Sequence, residues 1–284
     1  MCIRDSNNPL QINANVAKPL GSGFKLYILG ALADEIANGK LKWTEKYPIR
    51  SKSKSLPSGK MQNWEEGLLV TLKEYADSMI SISDNTATDH LHTILGRNLV
   101  EGQLTVMKNS HPELNKPLIN TAEFFKLKWA AKKSLIRSYI NGSAAKKRKL
   151  LSSSIKNIAL SEVGTNGVSA NTPSFINEIE WFGSTSSMCS GMKVLLDKNS
   201  PEVLDTLSIS TPQIDAKASK FWSYAGFKGG SEPGVFTTTY LLKAKNGKWG
   251  CLSLALSDEG QNINETVAFA FVKSLLKYSQ KYFK

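Results

Sequence analysis

A buried helix near the start of the chain decides the fold, and it is encoded by residues 22–36, which read SGFKLYILGALADEI. Ser22 is a favourable N-cap and Gly39 a favourable stop, so the pattern predicts a helix of about four to five turns between them. Apolar side chains lie on nearly every side of this helix, and such a helix packs inside a protein. The sequence therefore predicts a central helix with Ser22 at its N-terminus.

Length and composition exclude several classes of protein. The chain has 284 residues, of which 41% are apolar and 21% charged, and this globular mix excludes disordered and fibrous proteins. Lys and Arg number 36 against 24 Asp and Glu, so the formal net charge is +12. No apolar run approaches the roughly 20 residues of a membrane span, so no transmembrane segment is predicted. The N-terminus also lacks the basic start and apolar stretch of a signal peptide.

Helical patterns come first along the chain and strand patterns last. Helices are predicted at 71–81, 86–96, 98–107, 121–158 and 174–209. Strand-like runs and a final helix follow, at 220–229, 234–244, 249–257 and 263–281. Asn246-Gly247 between the last two strands is typical of a hairpin turn. This order predicts an α+β fold in which helices lie beside an antiparallel sheet.

Three cysteines and three histidines limit the redox and metal chemistry. Cys2, Cys189 and Cys251 lack the close spacing of zinc or thioredoxin motifs. A Cys189–Cys251 disulfide and two separate buried thiols both fit the sequence, and we favour the thiols. His90 and His92 would point apart on a helix, whereas a catalytic metal site needs three ligands in a fixed geometry. We therefore predict no metal and no other cofactor.

Three short motifs lie in order along the chain and carry the candidate chemistry. They are Ser22-x-x-Lys25, Ser83-Asp84-Asn85 and Lys228-Gly229-Gly230-Ser231. Each motif is weak alone. Together they resemble the S-x-x-K, S-D-N and K-T-G signature of class A β-lactamases and penicillin-binding proteins.

Ser22 is the candidate nucleophile and Lys25 its candidate base. Residues three apart on a helix share a face, so Lys25 can reach the Ser22 hydroxyl. A serine hydroxyl needs an adjacent base at neutral pH, and a buried amine in a cation-rich site has a lowered pKa that suits this role. The N-terminus of the helix also directs backbone N–H dipoles towards an oxyanion.

The other motif residues have predicted roles around this pair. Ser83 is predicted to relay a proton to the leaving group, and Asn85 to offer its amide to a substrate carbonyl. Lys228 supplies positive charge for a substrate carboxylate. Gly230 and Ser231 lie on a predicted strand and bind substrate, with the Ser231 N–H as a second oxyanion donor beside that of Ser22.

Four longer segments strengthen the resemblance, at residues 19–27, 55–59, 79–91 and 227–235. They are similar to the class A β-lactamase-like serine hydrolases, and more closely to the serine hydrolase branch of clavulanic-acid gene clusters. The resemblance extends from about residue 7 to the C-terminus. It implies a helical domain beside an antiparallel sheet, with the site between them and an acyl-enzyme on Ser22.

Two positions depart from the family pattern. Gly229 stands where the family has a hydroxyl residue after the lysine, and Ser231 is the candidate replacement. Residues 111–115 read HPELN and resemble the class A E-P-E-L-N loop, with His111 in place of the Glu that activates the deacylating water. His111 is therefore a candidate deacylation base. Fast β-lactam turnover is not expected, and ester hydrolysis, slow β-lactam hydrolysis and acyl trapping stay open.

We interpret residues 7–284 as one β-lactamase-like catalytic domain. Its all-helical subdomain is placed at about 40–210 and its sheet subdomain at about 7–20 and 215–284. Residues 1–6 resemble a translated adapter sequence and are predicted to be a non-native leader. Members of the family have sheet strands before the nucleophile, whereas only residues 1–21 precede Ser22. We therefore expect the sheet to lack one or both N-terminal strands.

These patterns predict a monomeric serine hydrolase that acts on a β-lactam or a related ester or amide, with no nucleic-acid partner. The resemblance implies export to the periplasm or the extracellular space, although a cytoplasmic location stays open because the start of the chain is suspect. The alternative is a catalytically weak relative that binds peptidoglycan or another anionic cell-wall polymer through its net charge of +12. The basic run Lys146 to Lys149 is a candidate contact for such a polymer, against its interpretation as a solvated helix face.

Overall fold

A computed structural model describes residues 1–4, 10–163, 172–216 and 218–283. The predicted α+β order is confirmed, because helices occupy most of the chain up to residue 208 and the long strands follow. In this described part the ten α-helices are α1 Lys25–Ala37, α2 Leu72–Ser81, α3 Asn85–Leu95, α4 Arg97–Val106, α5 Thr121–Phe125, α6 Lys133–Ile140, α7 Ala144–Leu150, α8 Thr185–Asp197, α9 Pro201–Ser208 and α10 Glu265–Ser279. None of these helices is long and apolar enough to cross a membrane.

One antiparallel sheet dominates the strand part of the molecule. The strands of the described residues are β1 Cys2–Arg4, β2 Leu10–Gln11, β3 Lys18–Pro19, β4 Lys46–Pro48, β5 Leu69–Thr71, β6 Phe182–Gly183, β7 Trp222–Glu232, β8 Val235–Ala244 and β9 Trp249–Ser257. Five of them form the main sheet in the order β2-β1-β9-β8-β7, while β3 pairs with β6 and β4 with β5. Strand β7 is therefore an edge of the main sheet.

Two short N-terminal strands join the main sheet, in contrast to the expectation that one or both are missing. Strand β1 pairs with β9, with Ile3 opposite Leu252, and β2 pairs with β1. Cys2 and Ile3 are fully buried, so this segment supplies apolar side chains that favour its place in the sheet. Strand β1 lies within the predicted leader, and residues 5–9 of the leader and sheet predictions lie outside the described residues.

The central helix α1 is buried along most of its length, as its sequence predicts. All residues from Lys25 to Ala33 are buried, and α1 packs against α3, α4 and α8. The prediction of Ser22 as N-cap is wrong, because Ser22 lies inside a 3-10 turn, Gly21–Phe24, and α1 begins at Lys25. Gly21 has φ of +49°, a left-handed conformation that glycine adopts at no steric cost. This turn leaves the Ser22 hydroxyl free of a capping role.

Both faces of the main sheet are covered. One face packs on α10, with Tyr240 and Val272 fully buried between them. The other face packs on the helices, and Leu241 of β8 belongs to that core. Thr239 lies two residues from Leu241 and opposite Lys228 of β7. Because opposed residues share a face and side chains alternate along a strand, Lys228 points towards the helical part.

A disulfide joins the helical part to the sheet. Cys189 of α8 is bonded to Cys251 of β9, with the two Cα atoms 5.5 Å apart. Of the two alternatives left by the sequence, the structure has the disulfide and not the two thiols that we favoured. Both residues are buried, and the packing of α8 on β9 brings them together although 62 positions separate them in the chain.

We expect Cys189→Ser to lower the free energy of unfolding by about 4 kcal/mol, because the bond restricts the unfolded chain over a long loop. Urea denaturation followed by circular dichroism measures this change. Reductant should lower the wild-type midpoint to that of the variant and leave the variant unchanged. Three reactive thiols in unreduced, denatured wild-type protein would contradict the disulfide.

Candidate active site

Ser22 lies on the 3-10 turn that precedes α1, where this turn meets the edge strand β7. Backbone hydrogen bonds fix the approach to the turn, since the Leu20 N–H donates to the Trp181 carbonyl at 2.7 Å. The Thr237 hydroxyl of β8 donates to the Leu20 carbonyl, also at 2.7 Å. Ser22 is half-buried, and its hydroxyl has no hydrogen-bond partner within the described residues. The hydroxyl is therefore available to a ligand.

The amine of Lys25 is fully buried and is surrounded by oxygen atoms of the S-D-N segment. Its Nζ donates to the Ser83 carbonyl and to Asn85 Oδ1, each at 2.7 Å, and lies 3.0 Å from the hydroxyl oxygen of Ser83. These three oxygens belong to neutral groups, and among the described residues no carboxylate pairs directly with this amine. Burial lowers the pKa of Lys25 well below its ordinary value, and the charge of Lys228 lowers it further. The neutral form of Lys25, which can accept a proton, is thereby favoured.

Lys228 reaches the same serine from the sheet. Its Nζ donates to Ser83 Oγ at 3.2 Å and to the Gly229 carbonyl at 2.6 Å. Burial lowers the pKa of Lys228 to about 7. The Ser83 hydroxyl therefore lies between two buried amines, Lys25 on α1 and Lys228 on β7.

The loop that holds Ser83 is kept in an unusual backbone conformation. Ser83 has φ of +57°, which is uncommon for a residue other than glycine. Its carbonyl accepts from the Ser58 hydroxyl at 2.7 Å, in addition to Lys25. Asn85 begins α3, and its Nδ2 donates to the Leu56 carbonyl at 2.9 Å. One N–H of the Asn85 amide thus stays available for a substrate.

The Asp84 carboxylate stabilises the same loop through hydrogen bonds to backbone N–H groups. Its carboxylate accepts from the Ala87 N–H as the N-cap of α3, and from the N–H groups of Lys60 and Met61. Gly59 lies directly against it, because a Cβ at position 59 would be 2.2 Å from Asp84 Cγ. These contacts connect the 55–59 segment to the S-D-N motif.

Strand β7 presses its backbone against the turn that carries Ser22. A Cβ on Gly230 would lie 2.4 Å from the Ser22 nitrogen, and one on Gly21 would lie 3.2 Å from the Ser231 nitrogen. Only glycine allows this approach at position 230. The N–H groups of Ser22 and Ser231 therefore belong to two backbone segments in direct contact, as an oxyanion hole requires. The Ser231 side chain is exposed next to them.

His111 is not brought into this group. Its Nε2 is 3.1 Å from the Asn15 carbonyl, to which it donates, and its Nδ1 is 3.6 Å from a carboxylate oxygen of Glu113. Residues 112–115 form a short 3-10 turn in which Asn115 is buried. Two groups of predicted members are in contact: Lys25, Ser83, Asn85 and Lys228 through hydrogen bonds, and Ser22, Gly230 and Ser231 through backbone. Among the described residues, Lys25 makes no hydrogen bond to the Ser22 hydroxyl.

Sequence reasoning missed the supporting roles of Ser58, Gly59 and Asp84. The signal that could have found them is the segment 55–59, which resembles the family and contains Ser58 and Gly59. Within the described residues, no group of three or more His, Cys, Asp or Glu side chains is placed to hold a metal ion. The side chains that surround this site present hydroxyl, amine and amide groups.

The fold is shared with solved structures of β-lactamases and of PBP-A. The chain belongs to the beta-lactamase enzyme family (Beta-lactamase2), whose family model matches residues 2–156, more than half of the 284 residues. No curated protein matches the sequence.

Several solved structures share the fold over nearly the whole chain. A β-lactamase from Sphaerobacter thermophilus DSM 20745 is 17% identical, with a TM-score of 0.63 over 98% of this chain and 88% of that one. A mutant of PBP-A, solved as an acyl-enzyme complex with penicillin G, is 15% identical, with a TM-score of 0.63 over 99% and 87%. A β-lactamase from Chitinophaga pinensis DSM 2588 is 14% identical, with a TM-score of 0.63 over 100% and 93%. At these identities the likeness establishes the fold.

We expect Gly230→Ala to slow labelling of Ser22 by a fluorophosphonate probe about 10²- to 10³-fold, the usual effect of losing one oxyanion donor. The added Cβ would lie 2.3 Å from the Leu20 carbonyl oxygen, so β7 must move away from the turn. Gel-based or mass-spectrometric labelling rates measure the effect. Gly102→Ala on α4 is the control, since nothing lies within 4 Å of its added Cβ. A folded Gly230→Ala variant labelled at the wild-type rate would exclude this arrangement.

Proposed function

We propose that this chain is a serine hydrolase that forms an acyl-enzyme on Ser22 from a β-lactam or a related ester or amide. The observation that carries the proposal is the convergence of two buried amines, Lys25 and Lys228, on the Ser83 hydroxyl. Buried amines with lowered pKa values suit proton transfer near neutral pH. The family and the fold support the same class of chemistry.

In the first step, neutral Lys25 takes the proton of the Ser22 hydroxyl as Ser22 Oγ attacks the carbonyl carbon. The negative charge that develops on the carbonyl oxygen is stabilised by the N–H groups of Ser22 and Ser231. The tetrahedral intermediate then collapses, and the bond to the leaving nitrogen or oxygen breaks. Ser83 gives its proton to that leaving atom and regains one from Lys25, which restores the neutral amine.

Lys228 and its neighbours orient the substrate. The protonated Lys228 attracts the carboxylate of a β-lactam, and we assign to the Ser231 hydroxyl, on an exposed residue, a hydrogen bond to the same carboxylate. The free N–H of the Asn85 amide binds the carbonyl of the acyl side chain. Gly229 adds no hydroxyl here, so Ser231 takes the role that the family gives to the residue after the lysine.

Deacylation is the slow step of this proposed reaction. Water needs a base near the acyl carbon, and this chain has His111 where the class A loop has the Glu that activates the water. His111 is bonded to the Asn15 carbonyl, and we do not assign it this role. The acyl-enzyme therefore accumulates with β-lactams, whose ring-opened leaving group stays attached, while esters turn over slowly.

Two further features accompany the proposal. The Cys189–Cys251 disulfide favours an oxidising compartment and so supports export. The closer kinship with the clavulanic-acid branch rests on the four sequence segments.

We assign no polymer-binding function to the run from Lys146 to Lys149, because Arg148 pairs with Glu101 and Lys147 lies over the Tyr139 ring.

We expect intact-protein mass spectrometry to detect a persistent adduct after exposure to penicillins, cephalosporins or activated esters, since deacylation is the slow step of the proposed reaction. Ser22→Ala should form no adduct and should melt at the wild-type temperature. An adduct of unchanged yield on Ser22→Ala would refute the proposed nucleophile. Complete consumption of a penicillin without an adduct would refute slow deacylation.

The measured quantity is the ratio of two acylation rates, that with a penicillin over that with a neutral ester. We expect this ratio to fall up to tenfold for each pH unit above pH 7. The pKa of Lys228 is lowered to about 7, so this lysine attracts the penicillin carboxylate below that pH and loses its charge above it. The ratio removes the effect of Lys25, which both substrates need in its neutral form. Second-order acylation rates between pH 6 and 9 measure it.

Lys228→Arg is the matched variant for this profile, because arginine stays protonated throughout the range. Its ratio of rates should be independent of pH. A ratio that is also constant for the wild type would exclude Lys228 as the group that titrates.

A further inference from the structure

Three charged side chains are buried together at the end of β7, and the proposed reaction uses none of them. Lys128 follows α5, Glu180 precedes β6, and Glu232 is the last residue of β7. Lys128 and Glu180 are 6% and 4% exposed. Burial of charged groups is costly unless they are paired, so this cluster needs a physical explanation.

One half of the cluster is an ion pair. Lys128 Nζ donates to Glu232 Oε1 at 2.5 Å, with the two side chains only 1% and 10% exposed. The same amine lies 4.4 Å from the centre of the Phe124 ring. The charge of Lys128 also acts on the nearby carboxyl of Glu180, so a single ammonium group serves two carboxyl groups.

The other half of the cluster is the carboxyl of Glu180, which accepts hydrogen bonds from two backbone N–H groups. Its Oε2 accepts from the Trp181 N–H at 2.8 Å and from the Gly21 N–H at 3.2 Å. Its Oε1 is buried and has no donor among the described residues, although the Glu232 carboxyl lies within hydrogen-bonding reach. If Oε1 carries a proton, this buried oxygen no longer lacks a hydrogen-bond partner, because the carboxylic acid then donates a hydrogen bond to the Glu232 carboxylate. Burial, and then the charge of Glu232, raise the pKa of Glu180 well above its ordinary value, which agrees with a bound proton.

The position of this acid matters because of its two neighbours in the chain. Gly21 directly precedes Ser22, and Glu232 directly follows Ser231. The acid thus bridges the two backbone segments whose N–H groups would bind the oxyanion. Backbone contact at Gly230 and the Thr237 hydroxyl, which bonds to the Leu20 and Gly230 carbonyls, bring these segments together. Glu180 adds a second side-chain link, from the Gly21 N–H to the Glu232 carboxyl.

We propose that the carboxylic acid of Glu180 is a positioning residue that fixes the oxyanion hole, by accepting from Gly21 N–H while donating to the Glu232 carboxylate that Lys128 holds. This inference rests on the proposed acylation of Ser22. The ionisable groups that act on Glu180 within the described residues are Glu232 on β7 and Lys128 after α5. Loss of the proton places two carboxylates against one ammonium, and their repulsion separates β7 from the turn.

The kinetic test uses a neutral activated ester, so that the charge of Lys228 does not enter the binding step. We expect Glu180→Ala to lower the acylation rate constant about 10- to 100-fold with little change in the half-saturating ester concentration, as misplaced oxyanion donors predict. Glu180→Gln should recover most of the rate, because its amide keeps one acceptor for Gly21 and one donor for Glu232. The wild type should lose rate at alkaline pH, and Glu180→Gln should not.

The control is Glu178→Gln, two residues earlier in the same loop and exposed. It should match the wild type at every pH. An unchanged rate in Glu180→Ala, or a Glu180→Gln variant as slow as Glu180→Ala, would overturn the positioning role. If Ser22→Ala is acylated like the wild type, the proposed function fails instead, and the two failures are thereby distinguished.

A spectroscopic readout does not depend on activity. Carbon-13 NMR of protein labelled at the glutamate carboxyl carbon should contain one signal at the shift of a protonated acid at pH 7, absent from Glu180→Gln. A Glu180 signal at the shift of an ionised carboxylate at pH 7 would refute the hydrogen-bonded acid. This measurement also decides the matter should Glu180→Ala fail to fold.

Discussion

The buried amine of Lys25 is the constraint on which the rest of the structure depends. An ammonium or amine group removed from water needs acceptors, and all of its partners here are oxygen atoms of Ser83 and Asn85. To present its carbonyl and its hydroxyl together, Ser83 adopts a left-handed backbone conformation. Asp84 and Gly59 then hold that conformation in place, and α3 begins directly behind it. The helical part is thus arranged around one amine at the start of α1.

The sheet contributes the second buried amine, that of Lys228. Together, Lys25 and Lys228 determine the charge of the site. Lys228 lowers the pKa of Lys25, and no carboxylate bonds directly to either amine within the described residues. A positive and dry site favours a neutral base and attracts an anionic substrate. In the proposed reaction no carboxylate activates the deacylating water, because the buried carboxyl of Glu180 is proposed to hold a proton. The same residues would therefore support acylation better than deacylation.

The sequence predicted the order of helices and strands and the three motifs, because these signals are local or carried by a few residue types. It missed features that depend on contacts between distant residues. The 3-10 turn at Ser22 arises from the approach of Gly230, more than 200 positions later, and not from the capping preference of serine. The Cys189–Cys251 bond depends on the packing of α8 on β9, which spacing alone does not reveal.

Glu180 is a second case of this kind. Along the chain it is an ordinary acidic residue in a loop, and only the fold places it against Glu232 and Gly21. His111 is the opposite case, since a local likeness to a known loop suggested a catalytic base. In the structure its ring instead donates a hydrogen bond to the Asn15 carbonyl. Local likeness is informative where the surrounding segment also matches, as at residues 79–91, and weak where it rests on five letters.

The Cys189–Cys251 bond has a consequence for how a ligand could reach Ser22. Since it fastens a helix of the helical part to a strand of the main sheet, the two cannot separate at that point to admit a ligand. Ser231 is exposed beside the turn of Ser22, and Ile82, next to Ser83, is 44% exposed. Side chains such as these, and not separation of the helices from the sheet, would then set how bulky a ligand the site admits.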